Sequence, residues 1–476
     1  IWGSQAGDHL AGGSGDDIIY AEGGNDLIYG DSGFNVDPIT RTLLVPTIDG
    51  GYSPAGLPFG AVRDQMIAGR DQLFGDIGDD VIFGDHGVVT QDVPRGRVYV
   101  GFAAAMASRA AVFGFATSDL GSEDVQTLFV ASDKLLTTGF IQDLRSAEPG
   151  NGGDDVIDGG GGADRLFGGN GADRITGGSD ADVIFGDQGH MSYLGPDAFG
   201  AIETGLRGPR TLDVIESVDT LAAFGAGDTI VEDCSDDIIL GGQGDDVIDA
   251  GAGQNIVFGD HGRLVGVDCG VNRPVNGRDG RHHEDDTPFD ALGLVTSIDA
   301  GSVNGPANQF GNGNDSIITG RGRDMIFGGG GADQIDAFGG GWHDWRDDGN
   351  NIVFGDHGLV DYLAEEIAAA DRSAYPRRTD DIDPGDIDRV WSLDTALGGD
   401  DQIRTGDGND IVFGGFGNDV IDVGDGFNIV FGDSGRITTG DDDEGRWQSD
   451  YRNDHDHSTT RFAVHEFHIG RIETSS

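Results

Sequence analysis

Eighteen aspartates share one local setting: Asp8, Asp17, Asp26, Asp71, Asp80, Asp155, Asp164, Asp173, Asp182, Asp228, Asp237, Asp246, Asp315, Asp324, Asp333, Asp401, Asp410 and Asp419. Each stands sixth in a nine-residue block. Four consecutive blocks read GNGGDDVID, GGGGADRLF, GGNGADRIT and GGSDADVIF, from Gly150 to Phe185. Positions one to four are glycine-rich, and position eight is aliphatic. Asn255, Asn351 and Asn428 take position six in the last block of three segments. Repeated carboxylates beside glycine turns make a cage of hard oxygens, because turn carbonyls can face inward next to them. Such a cage suits calcium rather than a soft metal.

The chemistry requires elements that stack these turns. Positions seven to nine fit a three-residue strand, with position eight pointing inward and its neighbours outward. Ile, Leu and Val at position eight then form a narrow aliphatic stack. Glycine allows positive φ at the corners and close backbone approach. If two blocks make one coil, residues eighteen apart stack on one side. That spacing pairs Asp8 with Asp26, Asp155 with Asp173, Asp164 with Asp182, Asp228 with Asp246, and Asp401 with Asp419. It also sets Asp237 against Asn255, Asp410 against Asn428, and Asp17 against Asn35. The stretch AFGGGWHDW, residues 337–345, lacks Asp at position six. Read as a nine-residue expansion of one turn, it pairs Asp324 with Asn351 and Asp315 with Asp333. The alternative is an additional half-coil.

The block GGSGDDIIY, Gly12 to Tyr20, resembles the glycine- and aspartate-rich nonapeptide of the RTX, or haemolysin-type, calcium-binding proteins. The resemblance covers somewhat under half of the chain. It implies an all-β fold of right-handed parallel β-roll segments, with calcium ions held between successive turns on each side. It also implies backbone carbonyl ligands in the glycine turns, around Gly169 and Gly171 for the Asp173 block. The roll segments fall at 1–35, 64–87, 149–189, 223–262, 310–358 and 396–435. The inserts between and after them fall at 36–63, 88–148, 190–222, 263–309, 359–395 and 436–476. These inserts are expected to be β-rich with little helix, the best short helix being residues 362–375. Runs such as VIESVDT, LVTSIDA and RVWSLDT close several inserts, and their strands are expected to pair and splice one roll segment to the next.

Each roll segment ends in a tag such as NIVFGDHG, Asn255 to Gly262. After the tag an apolar residue, such as Val89, Met191 or Leu264, replaces the position-six acid. The tag aspartates Asp31, Asp85, Asp187, Asp260, Asp356 and Asp433 either cap the last ion or its turn, or form a metal-free Asx-type turn. His86, His261 and His357 are read as exposed turn residues, since Ser or Gln replaces them in other tags. Phe167, Phe185, Phe413 and Phe431 fall at position nine of one sheet. A stripe of that kind needs a cover, supplied by the inserts or by a neighbouring chain.

Composition narrows the function. With 85 acidic and 29 basic residues, the formal charge is −56. A compact fold with that charge repels itself unless cations bind. No basic patch is present to engage nucleic acid. No apolar stretch approaches the ~20 residues of a membrane helix. Cys234 and Cys269 fit an oxidising compartment, paired or not. The opening at Ile1 without a signal peptide fits a processed or excised piece. Histidine-bearing stretches at 281–286 and 453–468 read as solvated loops rather than metal sites. No hydrolase or zinc-protease motif is present.

The expected function is therefore a calcium-dependent, extracellular structural protein of a bacterial surface: a matrix, S-layer, adhesin or filament component. The expected partner is a further copy, head to tail, or a longer tandem chain, with cell-surface or glycan contact possible. The alternatives are the calcium-stabilised portion of a secreted RTX enzyme or toxin, and a glycan- or surface-binding adhesin.

Overall fold

The computed structural model describes residues 1–31, 67–91, 141–193, 214–218, 225–266, 292–298, 313–338, 349–362, 387–439 and 469–474. Among these residues every regular element is a strand. Most roll strands are three residues long, as position-seven-to-nine triplets between glycine corners require. The expected helix near 362–375 and the two histidine-bearing stretches lie outside the described residues, apart from Tyr362. Asn35 and Cys269 also lie outside them, and Cys234 is exposed.

Strands alternate between two parallel sheets of eleven strands each. Each coil places one strand in each sheet. The position-eight residues meet between them in one aliphatic core, including Ile19, Leu73, Ile157, Ile175, Ile230 and Ile317 from one sheet. Ile28, Ile82, Leu166, Ile184, Ile239 and Ile326 come from the other. Pairing is in register across every insert. Val81–Phe83 lies between Leu27–Tyr29 and Arg165–Phe167, and Val183–Phe185 pairs with Ile238–Leu240. The roll segments thus join into one uninterrupted stack. The fourth segment keeps this register too, with Met325–Phe327 on Ile352–Phe354.

The strands beside the inserts form a third sheet, antiparallel and ten-stranded. Among the described residues, from the second unit on, the chain leaves the roll along a tag strand, such as Gly189–Ser192, and returns along a partner, here Val214–Ser217. The serine ending four of the return strands accepts a backbone hydrogen bond from a tag glycine. Gly189 N donates to Ser146 Oγ at 3.1 Å, Gly262 N to Ser217 Oγ at 3.2 Å, and Gly358 N to Ser297 Oγ at 3.2 Å. Gly435 N repeats the contact with Ser392 Oγ at 3.1 Å.

This third sheet covers the aromatic stripe. Tyr29, Phe83, Phe167, Phe185, Phe258, Phe327, Phe354 and Phe413 are at most 1% exposed. Val89, Leu144, Met191, Ile215, Leu264, Val295, Val360, Val390 and Ile437 pack against them from the antiparallel sheet. Neighbouring rings stack nearly parallel: Phe354 and Phe413 lie 4.8 Å apart at 6°. That separation is the strand spacing itself. The layers are therefore an outer parallel sheet, a middle parallel sheet and the antiparallel sheet. The outer sheet's free face is wet, with Val247 51% and Val420 66% exposed.

Two coils advance each parallel sheet by two strands, and one insert advances the antiparallel sheet by two. Strands in both kinds of sheet are about 4.7–4.9 Å apart. The three layers therefore grow in step along one axis without accumulating mismatch.

Candidate functional site

The position-six side chains form two columns, one beside each parallel sheet. The middle-sheet column runs Asp8, Asp26, Asp80, Asp164, Asp182, Asp237, Asn255, Asp324, Asn351, Asp410, Asn428. The outer-sheet column runs Asp17, Asp71, Asp155, Asp173, Asp228, Asp246, Asp315, Asp333, Asp401, Asp419. One contact builds both: Oδ1 of each residue accepts the backbone N–H of the position-six residue one coil earlier. Asp155 N donates to Asp173 Oδ1 at 2.8 Å, Asp164 N to Asp182 at 2.7 Å, and Asp228 N to Asp246 at 2.7 Å. Asp8 with Asp26, Asp315 with Asp333 and Asp401 with Asp419 meet at 2.5, 2.9 and 3.0 Å. Asp237 meets Asn255 at 3.0 Å, Asp324 meets Asn351 at 3.0 Å, and Asp410 meets Asn428 at 2.9 Å.

The eighteen-residue rule fails at one predicted pair. Asp17 N donates to Asp71 Oδ1 at 2.8 Å, so the next coil's partner of Asp17 is Asp71, while Asn35 lies outside the described residues. An insert follows the second coil, and the next coil belongs to a later part of the chain. The contact likewise spans other inserts: Asp80 to Asp164 at 2.7 Å, Asp173 to Asp228 at 2.7 Å, and Asp246 to Asp315 at 2.9 Å.

The second carboxylate oxygen is the informative one. Oδ2 of Asp26, Asp71, Asp80, Asp155, Asp164, Asp173, Asp182, Asp228, Asp246, Asp315, Asp333, Asp401 and Asp419 is buried without a hydrogen-bond partner. An ionised oxygen in that position is costly unless something positive meets it. Glycine carbonyls converge on the same spot. A Cβ placed on Gly159 would meet Gly177 O at 2.6 Å, and one on Gly168 would meet Asp173 Oδ2 at 2.5 Å. Gly169 and Gly171 hold φ of 115° and 152°, which lets the Asp173 turn adopt this shape. Burial raises Asp155, Asp164, Asp182 and Asp333 to about 9, with neighbouring carboxylates adding to the effect. It raises Asp26, Asp71, Asp80, Asp237 and Asp401 to about 7. The donor set is all hard oxygen, buried and short of positive charge, which fits calcium.

A family model for the RTX calcium-binding nonapeptide repeat matches residues 2–37, 68–88, 150–174, 158–190, 235–263, 311–340 and 395–435. These are RTX repeats. No curated protein matches the chain. RTX repeats bind calcium, and here the unpartnered Oδ2 atoms and the glycine-turn oxygens would hold it. The bound ion supplies the positive charge that lets stacked carboxylates stay ionised inside the fold.

Four of the tag aspartates, Asp85, Asp187, Asp260 and Asp356, reach into the outer-sheet turns that follow them. Asp85 Oδ1 accepts Gly153 N at 2.9 Å and its Oδ2 accepts Asn170 N at 2.6 Å. Asp260 accepts Gly313 N at 3.1 Å and Gly330 N at 2.5 Å. Asp356 accepts Gly399 N at 3.1 Å and also Phe416 N, and Asp187 accepts Gln243 N. These residues clamp the RTX turns to the strand leaving for the antiparallel sheet. Asp433, with no described coil beyond it, is exposed.

The tag histidines are not exposed turn residues. His86, His261 and His357 are only 1%, 5% and 5% exposed, because the antiparallel sheet closes over the tag. Asn151 Nδ2 donates to His86 Nε2 at 2.7 Å, and Gln243 Nε2 to His261 Nε2 at 2.5 Å. Burial lowers both imidazoles to about 4, which leaves them neutral acceptors.

Sequence reasoning missed Glu232. It stands at the first turn position, where Gly75, Gly159 and Gly177 stand in earlier coils. Ligand oxygens of Asp182, Glu232 and Asp237 lie within 4.8 Å of one another, and all three residues are buried. The signal was available: an acid replaces glycine in VEDCSDD, Val231 to Asp237.

Proposed function

We propose that this chain is a calcium-folded, extracellular structural element of a bacterial surface, in which ion binding rigidifies a linear scaffold. The observation that carries this reading is the equal advance of the three sheets. A unit that adds two strands to each layer can be repeated indefinitely along one axis, as in other solenoid architectures. The two acidic columns run along that same axis. Calcium binding therefore acts on the rigidity of the whole stack, since binding energy to the folded state is folding energy. Extracellular calcium modules work with sites of ~10⁻⁴–10⁻³ M, so such a chain would fold outside the cell and not within it.

Self-association belongs to this proposal. Val430, at the inward position of the last described coil, is 44% exposed, whereas Val353 and Val412 are fully buried. Ile472, in the last antiparallel strand, is 49% exposed, whereas Val390 in the same role is fully buried. A further coil would cover both, whether it came from a second copy or from a tandem continuation.

The test is electron microscopy and light scattering of the full chain with calcium and with EGTA. Elongated particles that appear with calcium and vanish with EGTA support the scaffold. Compact monomers at all calcium concentrations, together with hydrolytic activity toward a defined substrate, would replace it with the enzyme reading.

A further inference from the structure

The two columns are not chemically equivalent. Along the outer-sheet column, Oδ2 is buried and unpartnered from Asp71 through Asp419. In the middle-sheet column, the same holds for Asp26, Asp80, Asp164 and Asp182. Asp237 Oδ2 has only a long contact, from Ser235 Oγ at 3.5 Å, and from Asn255 onward the middle-sheet column answers its own polar atoms at short range. Thr319 Oγ1 donates to Asp324 Oδ2 at 2.7 Å, and Thr405 Oγ1 to Asp410 Oδ2 at 2.7 Å. Both threonines are fully buried and stand where earlier coils have glycine. Asn255 Nδ2 donates to Ala250 O at 3.1 Å, Asn351 Nδ2 to Thr405 O at 3.4 Å, and Asn428 Nδ2 to Val423 O at 3.1 Å. Each Oδ1 still accepts the amide of the preceding coil, so the ladder itself continues.

These substitutions remove what a cation needs. An asparagine puts an N–H donor where aspartate offers a free anionic oxygen. A threonine hydroxyl uses the oxygen that remains. Among the described residues, no buried carboxylate oxygen in this half of the column lacks a hydrogen-bond donor.

The change occurs at the Glu232 coil. There Glu232 Oε1 accepts Gly177 N at 2.8 Å and Oε2 accepts Gly178 N at 3.3 Å, which aims its carboxylate at Asp182. Asp182 is 1% exposed, and its Oδ2 has no partner. Three carboxylates converge here, where the earlier junctions of the middle-sheet column bring two. Calcium affinity rises with the number of charged ligands.

We propose that calcium occupies the outer-sheet column throughout but the middle-sheet column only as far as a triply acidic terminal site made by Asp182, Glu232 and Asp237. Beyond that site, Thr–Asp and Asn–carbonyl hydrogen bonds take the place of ions. This rests on the calcium-binding reading of the repeats and specifies which of them fill.

The experiment counts calcium ions per full-length chain by native mass spectrometry, with atomic emission on the gel-filtered, calcium-loaded protein as a second measure. The Asp324→Asn/Asp410→Asn double variant keeps the ladder acceptors, as Asn255 does already, and its count should equal that of the unsubstituted chain. Asp315→Asn, in the outer-sheet column of the same coil as Asp324, should lower the count by at least one. Glu232→Gln should weaken one site by tenfold or more or remove an ion. A lower count in the Asp324/Asp410 double variant overturns the proposal, and that variant alone decides should Asp315→Asn fail to fold. An unchanged count in Glu232→Gln, with unchanged affinity, removes the terminal site. No calcium on the unsubstituted chain would instead defeat the underlying reading.

Discussion

At Asp173 one side chain carries two duties. Its Oδ1 holds the amide of Asp155 at 2.8 Å, while its Oδ2 is left for an ion. The duties separate on substitution. Asp173→Asn keeps the amide contact and loses the anionic ligand, so the calcium midpoint of folding should rise about tenfold or more. Asp173→Ala also strands a buried N–H, which costs about 1–3 kcal/mol. Its melting temperature in saturating calcium should therefore fall below that of Asp173→Asn, as read by circular dichroism. Proton linkage gives a second expectation. Burial raises Asp155 and Asp164 from 3.8 to about 9, and Asp26 and Asp71 to about 7. A raised carboxyl favours the calcium-free fold below its unfolded pKa and loses that contribution as pH climbs through the folded value. In EGTA, β-structure should be greatest near pH 4 and decline toward pH 9. Protons compete with calcium, so the calcium midpoint should be higher at pH 5.5 than at pH 8. A midpoint independent of pH would contradict this. Much of this chemistry was legible in sequence, because Asp155 and Asp173 sit eighteen residues apart in successive coils with no insert between them. Glu232, Thr319 and Thr405 were overlooked because the repeat was read for its aspartates and not for what replaced glycine.

The antiparallel sheet was legible only in part. The likeness of VIES and RVWS reflects a shared duty, since Ser217 and Ser392 each accept a tag-glycine N–H. The burial of His86 and His261 had no local signal. It depends on a sheet assembled from strands that lie far apart in the chain. Phe354 stacks between Phe327 and Phe413 beneath that sheet. Phe354→Ala should cost about 3–5 kcal/mol in calcium. A denaturant midpoint that does not move would argue that the antiparallel sheet is not tightly docked there. His190 links three strands of the sheet through Asp143 at 2.7 Å and Glu216 at 3.0 Å. Its hydrogen bonds to those carboxylates raise it to about 9. That contribution is complete below about pH 6.5 and fades as pH rises through about 9. His190→Gln should therefore destabilise the calcium-loaded chain at pH 6.5, with the difference shrinking by pH 9.5. Equal losses at both pH values would mean that packing, not charge, explains the effect.

For the whole molecule, continuity matters more than any single site. The nine-residue frame revealed the coils and the tandem stacking of their segments, but not which position-six residues meet across an insert, where partners lie 55 or 69 positions apart. The common register follows from shared geometry: every coil offers the same three-residue strands, so any coil can cap any other. A chain of charge −56 can hold such a stack together only if cations enter it. Far-ultraviolet circular dichroism of the full chain, with calcium titrated into EGTA-treated protein at pH 7.5, tests that statement most directly. The account predicts a cooperative gain of β-structure as calcium rises and its loss when EGTA is returned. A β-sheet spectrum that persists unchanged in EGTA at that pH would contradict it.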